Sequence, residues 1–168
     1  FTDGEMDGYT YHRDDNPTVR KVEQLLAAME NAEDCIVCTS GMAACTLVYL
    51  TYLSAGDHVI LFHDIYGAHY KVSLILERMG INITWLDADD SAGVKAHIRP
   101  ETKMILLETP SNPLCKVVDI AGIRKAAGRE DILVCVDNTF ATPYHTRPLE
   151  LGADLVIHSA TKGLGGHN

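Results

Sequence analysis

The sequence predicts an α/β fold, a mostly parallel sheet with helices on both faces. Three observations predict it. Short apolar runs recur at His58–Phe62, Ile81–Leu86, Met104–Glu108, Ile132–Asp137 and Asp154–His158. Segments with helical character separate them. The runs are continuously apolar, as strands are when both faces of a parallel sheet are covered.

Residues 1–15 are polar and aromatic, with no helical or strand period, and read as an arm or loop. Asn16-Pro17-Thr18 opens a helix: Asn16 can cap it and Pro17 suits the first turn. Val22, Leu25, Leu26 and Met29 then follow at helical spacing. Cys35–Cys38 is expected as a short strand. Gly41–Leu53, rich in Ala and Leu, and Gly67–Met79 are expected as helices, with a short one near Ala92–Ile98 and another over Ile120–Gly128. The domain division expected is an arm over residues 1–18 and a large domain over residues 19–168. Phe1 at the start, and an end six residues past Lys162, both read as cuts in a longer protein.

At 168 residues the chain can bury a real core, and 46% hydrophobic with 22% charged residues is ordinary for a globular protein. A net charge of -9 argues against nucleic acid or an anionic membrane as partner. No apolar run approaches a membrane span, and no secretory signal opens the chain. Five scattered cysteines form no disulfide framework, which suggests a reducing cytoplasm. Cys35 and Cys38, three apart on a strand, would point to opposite faces and chelate one metal poorly. The eight histidines show no HExxH or other helical pair; they read as ordinary surface or core residues, and no metal is expected.

In such sheets ligands sit outside the carboxyl ends of the strands. The residues there are Thr39-Ser40-Gly41-Met42, His63-Asp64-Ile65-Tyr66-Gly67, Thr109-Pro110-Ser111-Asn112-Pro113, Asp137-Asn138-Thr139 and Ser159-Ala160-Thr161-Lys162. Lys162 is the most informative. A lysine set between hydroxyls and glycines after a buried strand suits an amine that forms an imine with an aldehyde, because that amine must be held in place and lose its proton at moderate cost. Ser159 and Thr161 beside it could hold a phosphate. Ser40, Gly41 and Met42 open a helix, whose free N–H groups and dipole favour an anion, although the same residues make a plain turn and cap. Asp137, ending a buried strand, needs a partner such as a protonated pyridine nitrogen, or else is a cap or turn aspartate. Tyr66 could stack on a flat cofactor or simply pack. Asn112, restrained by Pro113, could donate to a cofactor oxygen or a substrate carboxylate, or make a turn. Together these suit pyridoxal 5'-phosphate (PLP). No GxGxxG or GxxxxGK[ST] motif occurs.

The chain resembles the Cys/Met-metabolism PLP-dependent enzymes, the trans-sulfuration group of cystathionine synthases and lyases, methionine gamma-lyase and homoserine-ester sulfhydrylases. The resemblance is carried by Tyr11-His12-Arg13-Asp14-Asp15-Asn16-Pro17-Thr18, Thr39-Ser40-Gly41-Met42-Ala43-Ala44, Asp64-Ile65-Tyr66-Gly67, Glu108-Thr109-Pro110-Ser111-Asn112-Pro113, Val136-Asp137-Asn138-Thr139-Phe140-Ala141-Thr142-Pro143 and His158-Ser159-Ala160-Thr161-Lys162. It implies the large domain of the fold type I PLP-dependent transferases. Lys162 is implied as the Schiff-base lysine and proton shuttle, Asp137 as the partner of the pyridine nitrogen, and Tyr66 as the ring-stacking tyrosine that also acts on the substrate amine. Gly41 and Met42 are implied as backbone phosphate donors with Ser40 at the same turn, Ser159 and Thr161 as hydroxyl donors, and Asn112 as the contact near the cofactor oxygen. Tyr11 and Arg13 would reach the phosphate of a neighbouring subunit, which implies a dimer at least and usually a homotetramer.

The implied chemistry exchanges the lysine imine for a substrate imine, removes the alpha proton, and eliminates at the beta or gamma carbon; in the synthases a thiol adds back. The expectation is a carbon–sulfur lyase acting on cystathionine, with a gamma-replacement synthase as the alternative. Two departures stand out. Ala68 occupies a place where methionine gamma-lyases typically carry cysteine, and Gly163 one where many members carry a bulky residue. The C-terminal domain with the substrate-carboxylate arginine is absent from this stretch. Ser159-Ala160-Thr161-Lys162 also fits S-x-x-K, but it follows a strand and neither SDN nor KTG accompanies it. A PLP fold kept as a binding module is opposed by the intact set of Lys162, Asp137 and Tyr66.

Overall fold

The computed structural model describes residue 11 and residues 16–165. The chain divides into two compact units, Phe1–Val37 and Cys38–Asn168.

The first unit is built on α1 (Pro17–Glu30). The Asn16 side chain accepts from the Thr18 and Val19 N–H groups, at 3.1 and 2.9 Å, and so meets two donors that the first turn leaves free. Asn31 ends the helix at φ 57, in the left-handed region that asparagine tolerates. Cys35–Cys38 is not a strand, contrary to expectation. Side chains take its backbone donors: the Cys35 N–H bonds Asp34 Oδ1 at 2.8 Å and the Val37 N–H bonds Glu23 Oε1 at 2.9 Å. Those N–H groups are therefore not offered to a ladder, and Ile36 is 73% exposed.

The second unit holds a sheet of five parallel strands, ordered β2-β1-β3-β4-β5. They are β1 (His58–Phe62), β2 (Asn82–Leu86), β3 (Thr102–Glu108), β4 (Leu133–Asp137) and β5 (Leu155–Ile157). The connecting helices are α2 (Gly41–Tyr52), α3 (Ala68–Arg78), α4 (Val94–His97), α5 (Ile120–Ala127) and α6 (Thr142–His145), with 3₁₀ turns at Ala88–Gly93 and Pro148–Leu151. The single helix expected near Ala92–Ile98 is instead the first 3₁₀ turn followed by α4. Asp90 breaks the helical path at φ -101, ψ 38, and its carboxylate caps the Gly93 N–H at 3.0 Å.

Strand periodicity sorts the core onto two faces. Ile60, Phe62, Ile105, Leu107, Val134 and Val136 face α4 and α5, where Val94, Ile120 and Ile123 meet them. Val59, Leu61, Met104, Leu106 and Cys135 face α2 and α3, against Cys45, Tyr49 and Leu76. Helices on both faces are thus observed. The same alternation puts Glu108 and Asp137 on the α2/α3 face at the carboxyl ends of neighbouring strands, where they are partners in register. The chain reverses direction across the sheet between β1 and β3, the place where ligands enter such folds. No helix among the described residues is long and apolar enough to cross a membrane.

Candidate functional site

A cavity of about 280 Å³ opens at the carboxyl edge of the sheet. Ser40, Gly41 and Met42 reach it from the start of α2, and Tyr66 from the loop after β1. Asn112 reaches it from the loop after β3, Asp137 from the end of β4, and Ser159, Thr161 and Lys162 from the loop after β5. All nine candidates that the sequence analysis places in this unit therefore share one cleft. Tyr11 lies exposed in the first unit, and Arg13 falls outside the described residues.

At the anion-favouring end of α2, the extended Ser40 accepts the Ala43 N–H through its hydroxyl at 3.1 Å. Gly41 is required by crowding: a Cβ there would stand 2.9 Å from the Ser159 Cβ. Its missing side chain lets the α2 start and the β5 exit converge, leaving backbone donors at the cleft. Glycine at 163 has a similar cause, since a Cβ would meet Thr142 Cγ2 at 2.5 Å. That contact accounts for the departure from the bulky residue expected after Lys162.

A short hydrogen-bond chain ties the strand exits together. Asp137 Oδ1 accepts the Thr139 N–H at 3.0 Å, and Thr139 Oγ1 accepts the Ser159 N–H at 2.8 Å. Beside it the Asn138 N–H bonds the Ile157 carbonyl at 2.9 Å, and the Asn138 amide bonds the Thr146 carbonyl at 2.8 Å. The Lys162 N–H closes a turn onto the Ser159 carbonyl at 3.0 Å, which leaves an exposed amine at the cleft.

Cys45, Glu108, Thr139 and Phe140 also line the cavity and were given no role from sequence. Glu108 had a usable signal, because it closes a buried strand just as Asp137 does. Its carboxyl is 3% exposed and is pushed up to about 7, first by burial and then by the negative Asp137 alongside. The Tyr66 N–H, donating to Glu108 Oε2 at 2.7 Å, opposes that rise and fixes the tyrosine's loop. Cys45 follows Met42 by three residues on α2, so both share a helix face.

The residues present fit a phosphorylated aldehyde with an aromatic ring. The α2 start and its glycine cradle suit the phosphate, Lys162 the aldehyde, Asp137 a ring nitrogen, and Tyr66 the ring face. Comparison with known proteins names the same cofactor. The family model for Cys/Met metabolism PLP-dependent enzymes matches residues 1–168. The chain is 45% identical over 166 residues to a probable cystathionine gamma-synthase of Herpetosiphon aurantiacus, covering 98% of this chain and 52% of that protein. It is 46% identical over 166 residues to the cystathionine gamma-lyase of Bacillus subtilis (strain 168), covering 98% and 44%. The crystal structure of cystathionine gamma-lyase from Lactobacillus plantarum complexed with L-serine superposes with a TM-score of 0.92 at 44% identity, covering 98% of this chain and 43% of that one. The chain spans about half the length of the curated relatives it matches.

Proposed function

This chain belongs to the Cys/Met metabolism PLP-dependent enzymes, and we propose that the protein containing it is a carbon–sulfur lyase that cleaves cystathionine by beta or gamma elimination. The observation that carries the reading is the convergence of Lys162, Asp137, Tyr66 and the α2 start on one cleft. PLP supplies an electron sink for charge developed at the substrate's alpha carbon. The rest falls to the protein. The Lys162 amine anchors the aldehyde and carries the proton taken from the alpha carbon. Asp137 pairs with the ring nitrogen. Tyr66 covers the ring face and meets the substrate amine. The Gly41 and Met42 amides, with the hydroxyls of Ser40, Ser159 and Thr161, hold the phosphate. Asn112 contacts the cofactor oxygen and the substrate carboxylate.

Tyr11 and Arg13, on an arm over residues 1–18, serve a neighbouring subunit's phosphate, and the assembly is a homotetramer. Exposed apolar side chains such as Leu25, Leu74, Ile75 and Val117 support the existence of covered faces. Five free thiols suit a reducing cytoplasm. A gamma-replacement synthase is the second reading, favoured by the 45% identity to a probable gamma-synthase.

Borohydride reduction of the full-length protein with peptide mapping tests the anchor. A pyridoxyl group fixed on Lys162 is expected, and an unmodified Lys162 after added PLP defeats the reading. Assays with cystathionine alone, against a homoserine ester plus a thiol, separate lyase from synthase.

A further inference from the structure

Behind Asp137 lies a side chain to which the reading above gives no role. His69, at the start of α3, is completely buried. Its Nδ1 lies 2.8 Å from the hydroxyl of Tyr49, itself 1% exposed. Its Nε2 is buried and has no hydrogen-bond partner among the described residues. A ring nitrogen of His69, the Cys45 sulfur and an Asp137 carboxylate oxygen all lie within 4.8 Å of one another.

The tautomer follows from counting donors. If the Tyr49 O–H donates to Nδ1, only the Nε2–H is left unmet. If Nδ1–H donated instead, both the phenol proton and the Nε2 lone pair would be orphaned. Burial raises the Tyr49 hydroxyl well above its ordinary range, so it keeps the proton it donates. Burial also lowers the imidazole, only partly offset by Asp137, so the ring is neutral. The titratable groups packed about it are Cys45 and Tyr49 of α2 and Asp137 of β4, with Glu108 of β3 beside Asp137. A metal is a poor occupant of this cluster. Burial, chiefly, pushes the Cys45 thiol up to about 12, and a metal ligand must be thiolate.

We propose that His69 is a positioning residue for Asp137: its Nε2–H donates to the carboxylate, and Tyr49 holds the ring in the tautomer and orientation that allow it. The proposal rests on the PLP reading of the site. Asp137 Oδ1 already accepts from Thr139. A second donor behind the carboxylate weakens its hold on a proton, so the proton shared with the pyridine nitrogen stays on the ring. A charged ring is the stronger electron sink. The two groups are not hydrogen-bonded in this structure, so the contact requires the Asp137 carboxylate to turn toward the imidazole.

The test uses the full-length holoenzyme loaded with PLP isotopically labelled at its ring nitrogen, and reads that nitrogen's NMR shift across neutral pH. The wild type is expected to show a protonated nitrogen. In His69→Phe, which keeps the bulk and removes the donor, the shift moves toward the neutral value and PLP affinity falls about tenfold. His69→Gln, which restores an N–H donor, recovers most of both. A purely packing role would leave the shift unmoved. An unchanged shift and affinity in His69→Phe overturns the proposal. If that variant does not fold, Tyr49→Phe decides: a partial movement in the same direction supports the relay, and none overturns it. Should the wild type itself take up no PLP, the reading of the site fails and the His69 proposal falls with it.

Discussion

His58 and His69 are both completely buried, at opposite edges of one sheet, and among the described residues only His58 has both ring nitrogens bonded. His58 opens β1 at the amino edge. Its Nδ1 bonds Thr102 Oγ1 at 2.8 Å and its Nε2 bonds Thr84 Oγ1 at 2.9 Å. His69, near the carboxyl edge, has one nitrogen bonded and one unmet. Charge repeats the contrast. At the carboxyl edge two carboxylates, Glu108 and Asp137, end adjacent strands in register, where like charges repel. The amino edge uses its polar groups to close itself. The carboxyl edge turns donors, acceptors and charge toward the cleft. Local conflict concentrated at one edge of a consistent fold marks a site.

The largest effect expected from this asymmetry is functional and costs the fold nothing. Lys162→Ala in the full-length protein should lower cystathionine turnover on the order of a thousandfold, because it removes the proton carrier. Lys162 is exposed, so the ligand-free protein should keep its stability to within about 0.5 kcal/mol. Turnover assays beside denaturant melts check both halves. A large loss of stability would break the division between an edge that holds the fold and an edge that reacts.

Next in size is the Glu108 carboxyl, raised first by its burial and then by Asp137. Glu108 titrates at about 7 in the fold against an ordinary 4.5. Between these values the folded protein holds a proton that the unfolded chain has lost, so stability falls as pH rises through that window. The shift amounts to about 3 kcal/mol once both states are ionised. Glu108→Gln keeps an acceptor for the Tyr66 N–H and removes the charge. The variant should therefore gain about 3 kcal/mol over the wild type in alkaline buffer and close to nothing in acid. Denaturant melts of the ligand-free proteins across pH measure this. A constant difference at every pH would show that burial and Asp137 do not raise Glu108.

How much of this was legible in the sequence follows from where each signal lies. The strands were found to within one or two residues because burial on both faces leaves continuous apolar runs, as at β1 and β4. Cys35-Ile36-Val37-Cys38 carried the same apolar signal and is no strand, since its fate is set by acceptors on Asp34 and Glu23. The helix α6 and the 3₁₀ turn Pro148–Leu151 were missed because four residues are too few for a period to show. Tyr66, Asn112, Asp137, Ser159, Thr161 and Lys162 were readable because each ends or follows a strand, and Ser40, Gly41 and Met42 because they open a helix. Cys45 and His69 were not, because their place depends on what stands behind the loops, whereas Glu108 carried the same strand-end signal as Asp137. Nothing in a lone helical histidine distinguishes a packed ring from one poised behind a carboxylate. Only its unmet Nε2 does so.

The smallest effect tests the quiet edge. Burial first, and then the positive Arg99, hold His58 down at about 4 against an ordinary 6.5. Between these values the unfolded chain binds a proton that the fold refuses, so stability is complete above 6.5 and drains away as pH falls toward about 4. This slope runs opposite to that of Glu108, and the two largely cancel where their windows overlap, from 4.5 to 6.5. Removing either residue should expose the other. Glu108→Gln should become steadily more stable with rising pH through the overlap. His58→Asn should lose about 1 kcal/mol at neutral pH, as one of two hydrogen bonds goes, and that cost should shrink below pH 6.5 and turn into a gain toward about pH 4. The imidazole ring-proton shift of the wild type gives the same pKa without mutation. Cofactor affinity in His58→Asn should stay within about twofold of wild type, since residues that share no partners act independently. If His58→Asn weakened PLP binding as His69→Phe is expected to, the edges would be coupled through the strands, and the contrast between a closed edge and an open one would no longer explain where this protein keeps its reactive groups.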